Sequence, residues 1–211
     1  MSGRALVVLA GQDAPDGHLA AWAGSSDVLY AADSAADRLF RLGFDPVVVG
    51  DLDSCDRSLF KPTTRVVEDR DPDRTDCDKA LDLAKADGWG AVTVAGVEGD
   101  LFDHWAASLS SCLASGLFVR LALRLGVATL LRGGDSVRIA DGLGRRVSLL
   151  PMVRSTGVDL RGTLWELQDA VIEPGGRLSV SNQGTGAVEA SLRSGAAWLF
   201  VSRSEAEGPV W

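Results

Sequence analysis

The chain is short of the residues that build redox centres and soft-metal sites. Its 211 residues include only three cysteines and two histidines. Cys55, Cys77 and Cys112 lie far apart, without the spacing of a metal knot or a disulfide framework. An odd, scattered set of thiols points to a reducing compartment and no structural disulfide. With His18 and His104 alone, a histidine-rich zinc centre is excluded. Positive charge is scarce too: 21 Lys and Arg face 29 Asp and Glu, for a net charge of −8. That balance argues against nucleic acid or an anionic membrane as the main partner. No apolar run approaches the roughly 20 residues of a membrane span, and residues 5–10 are too short for a secretion-signal core. No internal repeat or low-complexity stretch is present. The simplest location is the cytoplasm.

What the chain does have is ample apolar material, 46% of residues, enough for one large domain or two modest ones. The first half alternates strand-like and helix-like segments. Residues 5–10, 28–31, 47–49, 65–67 and 91–95 read as short buried strands. Residues 18–23, 34–42, 75–87 and those from 103 onward read as helices. Alternation of this kind implies βαβ units and a mainly parallel sheet. After Gly126 the segments become short and strand-like, at 129–131, 137–139, 147–150, 178–181, 187–192 and 197–201. Gly133-Gly134, Asp141-Gly142 and Pro174-Gly175-Gly176 supply turns between them. The expected fold is therefore α/β: an N-terminal parallel sheet with flanking helices (Rossmann-like), residues 1–125, followed by a C-terminal β-sandwich, residues 126–211. The tail from Glu205 to Trp211 is expected to be partly mobile.

The most informative stretch is Val47-Val48-Val49-Gly50-Asp51-Leu52-Asp53-Ser54. Ligands of open α/β sheets sit beyond the carboxyl ends of the strands, so Asp51 and Asp53 project into that crevice. Two carboxylates this close ionise comfortably only around a cation, and magnesium is the natural one because it takes hard oxygens and bridges to phosphate. Asp33 stands just past the preceding strand. Thr75 occupies an N-cap position with Asp78 three residues on. Asp76 then falls on the first helical turn, with Lys79 one turn later on nearly the same side, a pairing suited to phosphate and metal or simply to the helix dipole. Gly96 and Gly99 lie between a strand and a helix, where glycine lets backbone approach phosphate but is also what any such turn requires. Asp103 and His104 open the helix that follows.

Taken together, these blocks resemble the thiamine pyrophosphokinases. The resemblance rests on Ala32-Asp33-Ser34-Ala35-Ala36-Asp37, on Gly50-Asp51-Leu52-Asp53-Ser54, on Asp73-Arg74-Thr75-Asp76-Cys77-Asp78-Lys79-Ala80-Leu81, and on the run from Gly96 to His104. Ser148 to Met152, Gly162 to Leu167 and Ser179-Val180-Ser181-Asn182 extend it through the second half. It implies transfer of pyrophosphate from ATP to the hydroxyl of thiamine, releasing AMP, by a homodimer that binds thiamine at its subunit interface. By this resemblance Asp51, Asp53 and Asp76 hold Mg2+ and the polyphosphate, with Asp33 and Asp73 near them. The transfer also needs a carboxylate to accept the hydroxyl proton, for which Asp33 and Asp103 are the catalytic candidates. Ser54, Asp73, Thr75, Lys79, Gly96, Gly99 and His104 would bind ATP. Trp165 would lie against the thiamine rings, with polar contacts from Ser179, Ser181 and Asn182. The chain departs from the family pattern at Asp100-Leu101, usually Gly-Arg, at Ser34-Ala35, usually two glycines, and at Asp37, usually asparagine. Each change makes the pocket more acidic or its backbone less free. Two other readings stay open: a pyrophosphokinase or nucleotide hydrolase with another substrate, and a relative that binds thiamine or its diphosphate without turnover.

Overall fold

The computed structural model describes residues 3–204 and 206–211. They form two compact units, one of residues 3–124 with 206–211, the other of residues 125–204.

The first unit is a parallel sheet. Strands β1 (Ala5–Val8), β2 (Val28–Ala32), β3 (Val47–Gly50), β4 (Val66–Glu68), β5 (Ala91–Ala95) and β6 (Phe118–Leu123) lie in the order β4-β3-β2-β1-β5-β6. Every pairing among them is parallel. All four residues of β1 are buried, as expected of a central strand covered on both faces. Helices α1 (Asp16–Gly24), α2 (Ala35–Arg41), α3 (Asp76–Ala86) and α4 (Phe102–Ala114) flank the sheet, with α3 packed over β1–β3 and against α4. The chain runs outward from β1 to β4 and then returns to β1's other side with β5. That reversal creates a crevice at the strand ends, where ligands of such sheets bind. Strand β6 was not expected: its apolar residues continue the spacing of α4, and only Gly116 separates the two patterns.

The tail is anchored rather than loose. Glu205 lies outside the described residues. The Trp211 indole N–H donates to Ser25 Oγ at 3.1 Å, and its ring meets Trp22 edge-on at 5.3 Å. Residues 206–211, read from sequence as part of the second domain, thus group with the first unit.

The second unit contains β7 (Gly126–Arg132), β8 (Ser136–Ile139), β9 (Arg146–Pro151), β10 (Ser155–Thr163), β11 (Leu167–Ile172), β12 (Ser179–Ser191) and β13 (Ala196–Ser202), all antiparallel. The start of β12 pairs with β9, and its far end pairs with β10 and β8, so this one strand passes from one sheet to the other. Leu131, Val147 and Leu149 from one sheet meet Val158, Leu160, Ile172 and Val188 from the other in a shared core. Two of these strands were not expected, β10 and β11, and two expected ones, 178–181 and 187–192, are halves of the bent β12.

Candidate functional site

Each strand of the first sheet from β1 to β5 ends in a loop that contributes to one cavity of about 400 Å³. Leu9 and Ala10 follow β1, Asp33 and Ser34 follow β2, Asp51 and Ser54 follow β3, Asp71, Pro72, Arg74 and Thr75 follow β4, and Asp100 and His104 follow β5. Asp76 and Lys79 come from the first turns of α3.

Backbone conformation brings the carboxylates together. Asp33 has φ of +42° and its N–H donates to Val49 O at 2.9 Å, which turns the end of β2 toward β3. Gly50 ends β3 at φ +149°, a conformation L side chains avoid, and a Cβ there would stand 3.1 Å from Asp33 Cβ. Leu52, also at positive φ, buries its side chain while Asp51 and Asp53 on either side stay outward. The result is a triad: Asp33, Asp51 and Asp53 each offer an oxygen within 4.8 Å of the others.

The triad leaves one of its carboxylate oxygens unsatisfied. Asp33 is only 5% exposed, and its Oδ1 has no hydrogen-bond partner. Burial pushes its carboxyl above the usual range, and the negative charges of Asp76 and Asp51 push the same way, against hydrogen bonds from Ser54 and Cys55. The Cys55 thiol is itself pushed up to about 11 by burial and by Asp33. An orphaned carboxylate oxygen at the centre of a carboxylate cluster is the donor set of a hard divalent cation. Asp33, Asp51 and Asp53 therefore fit such an ion. Asp76 lines the same cavity, but its Oδ1 receives Lys79 Nζ at 3.2 Å. Lys79 is 5% exposed, so this pair sets a nearly buried ammonium on the cavity wall.

The α3 N-terminus is held by a full capping box. Asp78 N–H donates to Thr75 Oγ1 at 3.1 Å, and Thr75 N–H donates to Asp78 Oδ2 at 2.9 Å. Burial raises the Asp78 carboxyl, but the bonds from Thr75 and Ser111 outweigh it and hold the group below its ordinary value. Arg74 lies on the cavity wall with its guanidinium spanning Asp69 at 2.9 Å and Asp82 at 2.5 Å. Asp100 holds His104: Oδ2 lies 3.1 Å from Nδ1, while Oδ1 accepts the Leu101 N–H at 2.7 Å. The hydrogen bond and charge of Asp100 raise the His104 imidazole above its usual value, and Asp103 and Asp76 add to the effect. The departure that puts acid at position 100 thus also favours the protonated form of His104.

Five expected site residues of the first unit stand off the cavity wall: Asp53, which still joins the carboxylate triad, and four others. Asp103 is exposed and accepts the His104 N–H at 3.1 Å. Asp73 is exposed and donates its N–H to Asp71 Oδ1 at 3.0 Å. Gly96 and Gly99 serve a backbone contact: a Cβ on Gly96 would lie 2.1 Å from Leu9 O, and one on Gly99 2.4 Å from Asp13 N. Here the β5–α4 loop is laid against the loop after β1, with Gly11 N–H donating to Gly96 O at 2.8 Å. Conversely, Ser34, Asp71, Arg74, Asp100 and Ser108 line the cavity without having been read as site residues. Ser34 and Asp100 stood out only as departures from the family pattern, and Asp71 only through the acidic run after β4, which by itself is indistinguishable from a solvated loop.

In the second unit, Trp165 is 65% exposed in the turn between β10 and β11. Asn182 and Ser179 are buried beside this turn, and Asn182 bonds both the N–H and the carbonyl of Trp165. Ser181 adopts φ +59° and donates its N–H to Ser148 Oγ at 3.1 Å.

Comparison with known proteins gives a consistent result. Residues 19–122 match the family model "Thiamin pyrophosphokinase, catalytic domain", and residues 136–196 match "Thiamin pyrophosphokinase, vitamin B1 binding domain". No curated protein matches the chain. Among solved structures, thiamine pyrophosphokinase from Bacillus subtilis is similar at a TM-score of 0.79 and 22% identity, covering 94% of this chain and 99% of that one. Thiamin pyrophosphokinase from Geobacillus thermodenitrificans matches at 0.79 and 22%, covering 96% and 98%. The yeast enzyme matches at 0.75 and 16%, covering 96% and 87%. At these identities the structures speak for the fold.

Proposed function

We infer the function from one premise: the chain belongs to the thiamin pyrophosphokinase family. It is a thiamine diphosphokinase, transferring pyrophosphate from ATP to the hydroxyl of thiamine and leaving AMP. The observation that carries the site assignment is the convergence of Asp33, Asp51 and Asp53 beside a cavity that also holds Lys79 and His104. In this reading the first unit binds the nucleotide and the second unit binds thiamine.

The hydroxyl oxygen of thiamine attacks the β-phosphorus, the bond from that phosphorus to the AMP oxygen breaks, and the hydroxyl proton passes to a nearby carboxylate or to solvent. Catalysis of such a transfer is mostly positioning and charge neutralisation. Asp33, Asp51 and Asp53 would hold Mg2+, which when bound neutralises polyphosphate charge and lets an acidic protein accept an acidic substrate. Lys79, fixed by Asp76, faces the polyphosphate as a compact cation. His104, held by Asp100, offers the cavity an imidazole whose protonated form that carboxylate favours. Thr75 caps α3 and so aims its first turn at the cavity. Trp165 offers an indole face to the cationic thiazolium and its pyrimidine partner.

Two finer points belong to the same proposal. We place the protein in the cytoplasm: none of its three cysteines is in a disulfide, and no helix among the described residues is long and apolar enough to cross a membrane. It is a homodimer, in which the exposed Leu164, Trp165, Leu178 and Val180 gain cover. The direct test is AMP formation from ATP with and without thiamine. Thiamine-dependent AMP release is expected; thiamine-independent release would assign the chain another acceptor, and none in either case would make it a binding protein.

A further inference from the structure

We propose that Asn182 is a positioning residue, whose buried amide clamps the β10–β11 turn and so fixes where the Trp165 indole stands. The proposal rests on the reading of Trp165 as the stacking partner of thiamine and goes further, because it takes Asn182 out of direct contact with substrate.

The hydrogen-bond capacity of Asn182 is fully used inside the protein. The residue is 2% exposed. Its Oδ1 accepts the N–H of Trp165 at 3.1 Å and the N–H of Gln183 at 2.9 Å, occupying both lone pairs. Its Nδ2 donates to Trp165 O at 2.7 Å and to Thr163 Oγ1 at 3.1 Å, with Ser179 Oγ more distant at 3.5 Å. Turning the amide over would set Nδ2 against two N–H donors, so one orientation satisfies the site. Nothing remains to offer a ligand.

The surrounding strands are shaped for the same purpose. The pairing of β12 with β9 shifts register between Ser179 and Asn182, and that of β10 with β12 shifts between Arg161 and Thr163. Irregularities of this kind re-aim side chains. Between them, Ser181 takes the left-handed conformation and is tied to Ser148. The turn itself has three more ties, Leu164 N–H to Gln183 O at 2.9 Å, Gly162 N–H to Glu166 Oε1 at 2.8 Å and a longer one from Thr163 Oγ1 to Trp165 O at 3.3 Å. A solvent-exposed indole on an untethered turn would sample many positions, and binding would have to order it. Holding its backbone at both the N–H and the carbonyl removes that cost in advance.

The test is a double-mutant cycle on the full chain, with Asn182→Ala, Trp165→Ala and the pair. Trp165→Ala alone is expected to raise the KM for thiamine about 10- to 30-fold, the scale of a partly desolvated cation–aromatic contact. Asn182→Ala is expected to raise it about tenfold, as small misplacements of a binding group do, with the KM for ATP unchanged. In the Trp165→Ala background the Asn182→Ala effect should shrink to within about twofold, since residues acting through one another are not additive. An Asn182→Ala effect that persists undiminished in that background would overturn the proposal. Amide hydrogen exchange of residues 162–167 gives a readout independent of substrate: Asn182→Ala should speed it, and unchanged exchange would also overturn the proposal. If Trp165→Ala leaves the thiamine KM unchanged, the reading of Trp165 fails, and exchange still decides whether Asn182 holds the turn. Asn182→Asp, which keeps the acceptor and loses the donors, replaces Asn182→Ala if the latter does not fold.

Discussion

The two units prepare their sites in opposite ways. In the first, polar groups are brought together and left incomplete: Asp33 Oδ1 is buried without a partner, and Asp51 and Asp53 converge on it. In the second, polar groups are completed internally and a single apolar surface is left outside: Asn182 spends every bond on its own chain, and Trp165 stays exposed. The contrast follows the chemistry each unit is assigned. A polyphosphate with its cation brings charge that can satisfy unpaired carboxylates, so the protein can leave that charge open. An aromatic cation is recognised by a face, and a face is useful only if it is held still.

The largest effect that would break this comparison is at the triad. Asp51→Asn and Asp53→Asn are each expected to cost roughly 10²- to 10³-fold in turnover, the scale of losing a preorganised electrostatic group, with folding intact by circular dichroism. Asp33→Asn sharpens it further. Removing a buried carboxylate that faces like charges should raise the melting temperature of the metal-free protein while turnover falls, because the group is retained for function at the expense of stability. A lower melting temperature would mean that Asp33 is structurally satisfied after all. Thr75→Ala is expected to destabilise the first unit by about 1 kcal/mol in denaturant unfolding, since it removes a helix cap.

The smallest effect concerns pH. Asp100 raises the His104 pKa, so His104 keeps its positive charge to higher pH than an ordinary histidine. Its help to nucleotide binding is present below that value and fades as pH rises through it. Asp100→Asn should move this fading to lower pH and raise the KM for ATP between the two values by no more than about fivefold, the scale of an exposed charge pair. An unshifted profile of KM against pH would show that His104 does not face the nucleotide.

Much of the first unit was legible because its signals are local. A β-branched run ending in Gly50-Asp51 specifies a strand end with carboxylates beyond it, and Thr75 with Asp78 marks a helix start that the structure completes as a capping box. Which carboxylates would meet was less legible, because that depends on strand order. Asp33 joins Asp51 and Asp53 because β2 lies beside β3, whereas Asp76 turns to Lys79. Gly96 and Gly99 were ambiguous for a similar reason: the backbone they accommodate, at Leu9 and Asp13, lies more than eighty residues away in sequence. In the second unit, β10 and β11 escaped the reading of alternation because shifts of pairing register interrupt their pattern. The bonds that Asn182 spends on its own chain were not legible, because a polar residue in a distinctive motif gives no sign in sequence of its partners.

The central claim is that carboxylates from separate strand ends share a divalent cation with a bound nucleotide. Its most direct test is titration of Mn2+, followed by its electron paramagnetic resonance signal, into the protein with a non-hydrolysable ATP analogue. The unaltered chain should bind the ion, and Asp51→Asn should bind it at least tenfold more weakly, in keeping with the loss of one charged ligand. Equal binding by both proteins would contradict the account.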